Sequence, residues 1–278
     1  MNASPDPSAP DSSAADSSTT KGSKSKAPLL VAGVAVVVLV GGFLFWFMRD
    51  DAPERVNLED ATAQVSSSTA PGEPDGEGST ETSGGGSSDS PAGGGIEGDW
   101  KIDTETGEFD FESATGSFVG FRIDEELSGV GAAEAVGRTG DITGGITIEG
   151  TSATTGSFEV DMTTITTNES RRDDRVQGAL STDQFPTATF ELTEPIELGA
   201  GAADGEAVKT TGVGDLTIKG TTKSVTMDIE AKLVEGTVVI VGSTELSLAD
   251  FGVEAPSAPM VLSVSDTATL ELQFLLTR

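Results

Sequence analysis

The sequence contains no cysteine, no histidine and no tyrosine. Without cysteine there can be no disulfide, no thiolate metal site and no cysteine-linked lipid anchor. Without histidine the commonest general base and metal ligand is missing, and a His-based catalytic triad is impossible. Positive charge is scarce as well, with 16 Lys and Arg against 46 Asp and Glu for a net charge of −30. Such a surface repels nucleic acid and anionic membrane, so neither is expected as a docking partner. It reads instead as a solvated coat that resists aggregation.

The remaining catalytic signals are equally thin. There is no Gly-x-Ser-x-Gly elbow. Asp250 sits in an ADFG sequence, but no glycine-rich phosphate loop, catalytic Asp segment or matching lysine strand accompanies it. Asp103, Glu105 and Glu108 cluster near a turn without the spacing of a calcium loop. Carboxylate pairs are plentiful because the chain is acidic, and none stands out. The sequence therefore offers no catalytic residue, no metal site and no cofactor.

What is present is a rhythm, clearest in Gly214–Leu233. Leu216 and Ile218 alternate with polar residues; after Gly220-Thr221-Thr222-Lys223, so do Val225, Met227, Ile229, Ala231 and Leu233. Successive side chains of a strand point to opposite faces, so this is a hairpin with one apolar and one wet face. A helix would scatter the same residues all round its axis.

Taken in order, residues 1–28 are rich in Ser, Ala, Asp and Pro, lack apolar periodicity, and are expected to be a disordered head. Residues 29–48, LLVAGVAVVVLVGGFLFWFM, form an unbroken apolar run of about the 20 residues a membrane-crossing helix needs. Lys21, Lys24 and Lys26 precede it, Phe45, Trp46 and Phe47 crowd its far end, and Arg49-Asp50-Asp51 follow. Positive residues stay inside, so a single span is expected, with a cytoplasmic N-terminus and an extracytoplasmic C-terminal domain. A cleaved signal peptide is the alternative. The run is longer than the roughly 7–15 residues of a signal-peptide core and ends in bulky aromatics, which favours a retained anchor. Residues 49–98, with GEPDGEG, SGGGSSDS and PAGGG, read as a disordered, acidic Gly/Ser/Pro-rich linker holding a folded domain away from the membrane.

The folded domain is placed at 99–278, with 11 basic and 32 acidic residues. Apolar alternation recurs around Trp100, Val119-Phe121-Ile123, Ile146-Ile148, Phe158-Val160-Met162, Phe190-Leu192, the hairpin, Val238-Ile240, Leu246-Leu248 and Leu270–Leu276. With glycines between the runs, this predicts an all-β barrel or sandwich. Residues 167–180 lack alternation, and Ser170-x-x-Asp173 suggests a capping box, so one short helix is expected there, ending near Gly178. Glu125–Thr143, rich in Gly and Ala, is expected to be a long loop or mobile edge with weak β content.

The ordered set WKID (100–103), FVGFRI (118–123), TTITTNESRRDD (163–174), QFPTATFEL (184–192), GDLTIKGTTKSVTM (214–227) and ADFGV (249–253) resembles the YceI family of polyisoprenoid-binding proteins. The resemblance implies an elongated, eight-stranded antiparallel, lipocalin-like barrel whose apolar lumen holds a polyprenyl lipid or isoprenoid quinone, and no enzymatic activity. Where members of that family often carry histidines, this chain has Asp124-Glu125-Glu126 and Lys219.

The residues expected to line the lumen are Val119, Phe121, Ile123, Phe158, Val160, Met162, Phe190, Leu216, Ile218, Val225, Met227 and Ile229. Each has ordinary core packing as its alternative. Arg171 and Arg172 are candidate head-group contacts, since guanidinium pairs well with oxyanions; the alternative is an Arg–Asp network fastening the helix across the barrel. The expected partners are an isoprenoid lipid or quinone and, through the N-terminal helix, a membrane. Oligomeric state is left open. The competing reading is a structural or adhesive envelope domain with a filled barrel and a protein or glycan partner.

Overall fold

The computed structural model describes residues 52–68, 95–104, 108–256 and 258–278. The expected head (1–28), apolar span (29–48) and most of the linker lie outside the described residues. Among the described residues no helix is long and apolar enough to cross a membrane.

Thirteen strands build one sheet: β1 (Gly98–Ile102), β2 (Phe118–Leu127), β3 (Gly131–Thr139), β4 (Ile142–Glu149), β5 (Ser152–Asp161), β6 (Thr166–Thr167), β7 (Thr187–Leu192), β8 (Ile196–Glu197), β9 (Val208–Ile218), β10 (Thr221–Val234), β11 (Thr237–Ser247), β12 (Val261–Val264) and β13 (Thr267–Thr277). Among the described residues two helices accompany them, α1 (Leu58–Ser68) and α2 (Ser170–Leu180). Eight strands close in the order β1-β4-β5-β7-β9-β10-β11-β13, every pair antiparallel, because β1 pairs with both β4 and β13. Closure removes the exposed edges an open sheet would carry. The expected eight-stranded all-β barrel is present.

The long strand β13 has two partners along its length. Its C-terminal residues Leu276 and Thr277 pair with β1, while Thr269–Gln273 pair with Arg122–Phe118 of β2. The ribbon β2–β3 thus extends the wall at the end of the barrel away from β1. This corrects the expectation of a loop over 125–143: β2 runs to Leu127 and β3 occupies 131–139. The small residues answer close approaches. A Cβ on Gly137 would lie 2.4 Å from the Phe121 ring, and one on Gly120 would lie 2.5 Å from the Gly137 carbonyl oxygen. The low side-chain mass in this stretch makes room for an aromatic and does not signal mobility.

The β9–β10 turn is tighter than expected. Ile218 pairs directly with Thr221, leaving Lys219 and Gly220 as a two-residue loop with φ of 51° and 69°. Positive φ at both positions is the requirement of a type I′ hairpin turn, which follows strand twist.

Helix α2 covers the expected interval and runs two residues past Gly178. Ser170 lies inside it, and Glu169 is the N-cap residue without a side-chain cap bond. Asp173 instead reaches back to Thr167, accepting from its backbone N–H at 2.9 Å and its hydroxyl at 2.7 Å.

The largest departure lies in the stretch read as linker. Residues 52–68 are packed on the outside of the barrel. Asn57 caps α1, its Oδ1 accepting from the Asp60 N–H at 2.9 Å. Ala61 and Val65, on one face of α1, are buried against Val239, Val241 and Leu275, which point outward from β11 and β13. The preceding Pro53 and Glu54 carbonyls accept from Arg122 Nη2 at 2.7 Å each, and Glu54 also accepts from Arg138 at 2.8 Å. Disorder across all of 49–98 therefore does not hold for 52–68. A strap of 17 residues leads from the apolar run's side of the chain onto the barrel wall.

Beneath the strap lies a buried ion cluster. Arg122 bonds Glu271 at 2.8 Å and Glu134 at 2.7 Å; Arg138, fully buried, shares Glu271 at 2.8 Å. Burial, partly offset by Glu271, holds the Arg138 pKa below the ordinary arginine value, with Arg122 as a like-charged neighbour. Burial acts the same way on Arg122, but hydrogen bonds and charge from Glu271 and Glu134 outweigh it and the net shift is upward. The Arg138 guanidinium also stacks 4.6 Å from the Phe118 ring centroid. Gln273, on the same outer face, donates to the Ala114 and Gly116 carbonyls at 3.0 and 2.8 Å.

Candidate functional site

Alternation along each strand sends one set of side chains into the barrel. From β2 these are Val119, Phe121, Ile123 and Glu125; from β13, Leu270, Leu272, Phe274 and Leu276. The interior has two halves. Toward β1, Trp100, Ile148, Ala153, Val238, Phe274 and Leu276 are all buried, joined by Ile96 and by Ala202 from the 3₁₀ turn Ala200–Asp204. The Phe158 and Phe274 rings meet at 4.6 Å between centroids. The Trp100 indole N–H donates to the Ile96 carbonyl at 2.8 Å. The protein's own side chains pack the centre of that half, while Ile102, Ile146, Ile196 and Leu233 of the same half are only partly buried.

Toward α2 the lining is also only partly buried. Of the twelve residues expected to line the lumen, Phe158, Val160, Leu216 and Met227 are buried. Val119, Phe121, Ile123, Met162, Phe190, Ile218, Val225 and Ile229 are only partly buried. The first four of these, with Phe190, Ile218 and Val225, border the α2 end through β2, β5, β7 and the β9–β10 turn. An inward apolar side chain that keeps part of its surface accessible borders space its neighbours do not occupy. Residues not named among the expected lining also face the interior: Trp100, Ile146, Ile240 and Leu270. Their alternation was visible in the sequence, but they were not carried into the expected lining.

Helix α2 bridges the open half. At one side Arg172 pairs with Glu125, the inward carboxylate of β2, and its Nη1 donates to Asn168 Oδ1 at 2.6 Å. Asn168 is itself held by β3, accepting from the Val136 N–H and donating to the Glu134 carbonyl, each at 3.1 Å. At the other side Lys219 Nζ donates to the Ala179 and Gly252 carbonyls, both at 2.9 Å. The structure therefore separates the two candidate arginines. Arg171 is exposed, while Arg172 is an anchor of the helix. Glu125 and Lys219, where the resembling family often carries histidine, are the two ends of this fastening. Arg172 remains the one guanidinium among the two that stands beside the lining.

A family model for the YceI-like domain matches residues 100–276. The chain belongs to the YceI-like family. Solved structures similar to it include a polyisoprenoid binding domain from Saccharophagus degradans implicated in plant cell wall breakdown, at 18% identity and TM-score 0.48, covering 58% of this chain and 93% of that one. BcnA of Burkholderia cenocepacia matches at 18% identity and TM-score 0.45, covering 58% and 96%. A Campylobacter jejuni YCEI protein matches at 17% identity and TM-score 0.42, covering 50% and 82%. Among curated proteins none matches significantly. The strap and α1 lie N-terminal to the part of the chain that the YceI-like domain accounts for.

Proposed function

We propose that this YceI-like domain is a lipid-binding module that holds one polyprenyl lipid or isoprenoid quinone in the α2 half of its barrel. The observation that carries the reading is the ring of inward apolar side chains, Val119, Phe121, Ile123, Phe190, Ile218 and Val225, left partly accessible inside the closed barrel. The ligand class is the one printed for the S. degradans domain and implied by the family resemblance. A slim hydrocarbon gains roughly 0.8 kcal/mol for each methylene-sized unit it buries, so length supplies affinity without many polar contacts. A chain enters and leaves at the α2 end, where Arg172 meets an oxygen-bearing head.

The same proposal includes a membrane anchor at 29–48, a cytoplasmic N-terminus and an extracytoplasmic barrel, on the strength of the apolar run and its flanking charges. The role is carriage, buffering or sensing and not catalysis. The one inward carboxylate described at the open half, Glu125, is occupied by Arg172.

Native mass spectrometry and organic extraction of the full chain from its own host test this reading. An isoprenoid lipid should co-purify at up to one per chain, and Val225→Trp or Ile218→Trp should displace it while thermal unfolding stays cooperative. A lipid-free chain that also fails to take up added polyprenol or quinone would overturn it. That outcome would favour a structural envelope domain, toward which the buried cluster around Trp100, Phe274 and Leu276 points.

A further inference from the structure

Three features gather at the α2 end of the barrel. The first is the exposed apolar surface. Met260 and Leu262, on and beside β12, are 60% and 63% exposed, and Val130 at the tip of the β2–β3 hairpin is 36% exposed. These belong together, since β12 pairs with the end of β2 (Val261 with Leu127) and the Ser128 N–H donates to the Met260 carbonyl at 2.7 Å. The second is the accessible lining, with Phe121 and Ile123 on the same strand, β2. The third is the start of the strap: Arg55 pairs with Glu134, whose partner across the ladder is Asp124, one residue from Glu125.

The strap matters because of where the apolar run stops. Met48 and Ala52 are four residues apart in sequence, so their Cα atoms lie within roughly 14 Å even at full extension. A free linker over 49–98 would leave the barrel at any height and angle. With residues 52–68 fixed on its wall, the connection back to the apolar run is only the few residues before Ala52, and Arg55 is held on Glu134 near the α2 end of the barrel.

We propose that the β2–β3 tip and β12 form a lip that docks on the bilayer, with Met260, Leu262 and Val130 entering the lipid–water boundary and the α2 mouth facing it. This rests on the reading of 29–48 as a retained anchor. The occupant is a bilayer of low negative charge. Asp124, Glu126, Glu254 and Asp266 surround the lip with exposed carboxylates, so apolar insertion and not charge attraction makes the contact. A lipid then passes between membrane and barrel without crossing bulk water.

The absence of native cysteine makes the test direct. Leu262→Cys, Met260→Cys and, near the opposite end, Thr155→Cys are each introduced singly into the full chain. A nitroxide is attached, and the protein is reconstituted in phosphatidylcholine vesicles. Collision with oxygen and with a water-soluble nickel complex is then read by electron paramagnetic resonance. The expected result is a loss of nickel accessibility and a gain of oxygen accessibility at 260 and 262, with the label at 155 fully open to nickel. If the chain floats with the vesicles but 262 is as nickel-accessible as 155, docking is overturned and the anchor stands. A chain that stays in the aqueous phase overturns the anchor reading and the docking with it. Shielding that follows the protein-to-lipid ratio would put a second copy on the lip and also overturn the proposal.

Discussion

The two faces of the wall made by β2, β3 and β13 reverse the usual order of a soluble barrel. Outside, under the strap, Arg122, Arg138, Glu271, Gln273 and Leu275 are all buried, and their polar atoms find partners. Inside, Val119, Phe121 and Ile123 of the same strand β2 are apolar yet partly accessible. The side facing solvent in a bare barrel is closed here, and the side that normally packs shut is left loose. The outer seam contributes rigidity that the inner lining cannot, so the interior can stay under-filled without the wall losing its shape. Buried ion pairs are seldom better than an apolar substitute in net stability, but removing one member strands the other.

Breaking the outer face should therefore have the largest effect. Glu271→Ala leaves two buried guanidiniums short of their shared carboxylate and should cost about 3–5 kcal/mol in urea unfolding. Removing packing beneath α1 comes next: Val65→Ala should cost about 2 kcal/mol from lost burial and the cavity left behind. The inner face should respond less. Ile123→Ala removes more hydrocarbon than Val65→Ala yet should cost only about 1 kcal/mol, because part of that surface is already wet; a larger loss would show that the interior is packed and break the contrast. Gly137→Ala tests the close approach between the faces, and forcing a methyl into the Phe121 ring should cost about 1–3 kcal/mol.

The smallest effect concerns pH. The Asp161 pKa is held below its ordinary carboxylate value of 3.8, first by the Thr163 hydroxyl and then by the Thr163 N–H. Its folded pKa is depressed, so its contribution is present above the unfolded value and fades as pH falls through the folded one. Carbon-13 titration by NMR should place its midpoint below 3.8, and Thr163→Val should bring the midpoint back up.

How much of this was legible depended on whether one period or two acted on a segment. The β9–β10 hairpin was plain because a single apolar face alternates with a solvated one for its whole length. In strand β13 the alternating set Leu270, Leu272, Phe274 and Leu276 was legible, while the outward Leu275 gave no sign that α1 would cover it. The 125–143 stretch was misread because glycine and alanine signal both loops and tight approaches, and the Phe121 ring that needs the space sits on the neighbouring strand. Helix α1 was missed within a Ser-rich, acidic stretch. Its signals are short but present: Asn57 three residues before Asp60, and Leu58, Ala61 and Val65 along one helical face. Of the two arginines, nothing in the sequence distinguished Arg172 from Arg171; the difference is which of them reaches Glu125.

The seam that closes the cylinder joins Lys101 to Thr277 and Ile102 to Leu276, so its two edges come from opposite extremes of the folded region. Pairings this remote in sequence are reached late, since the chain must give up loop entropy before any reward arrives. Newly made molecules should accordingly pass through a long-lived open sheet. The last few residues act as the zip: shortening the C-terminus by even one turn of ladder should slow folding far more than an equal deletion in any single loop.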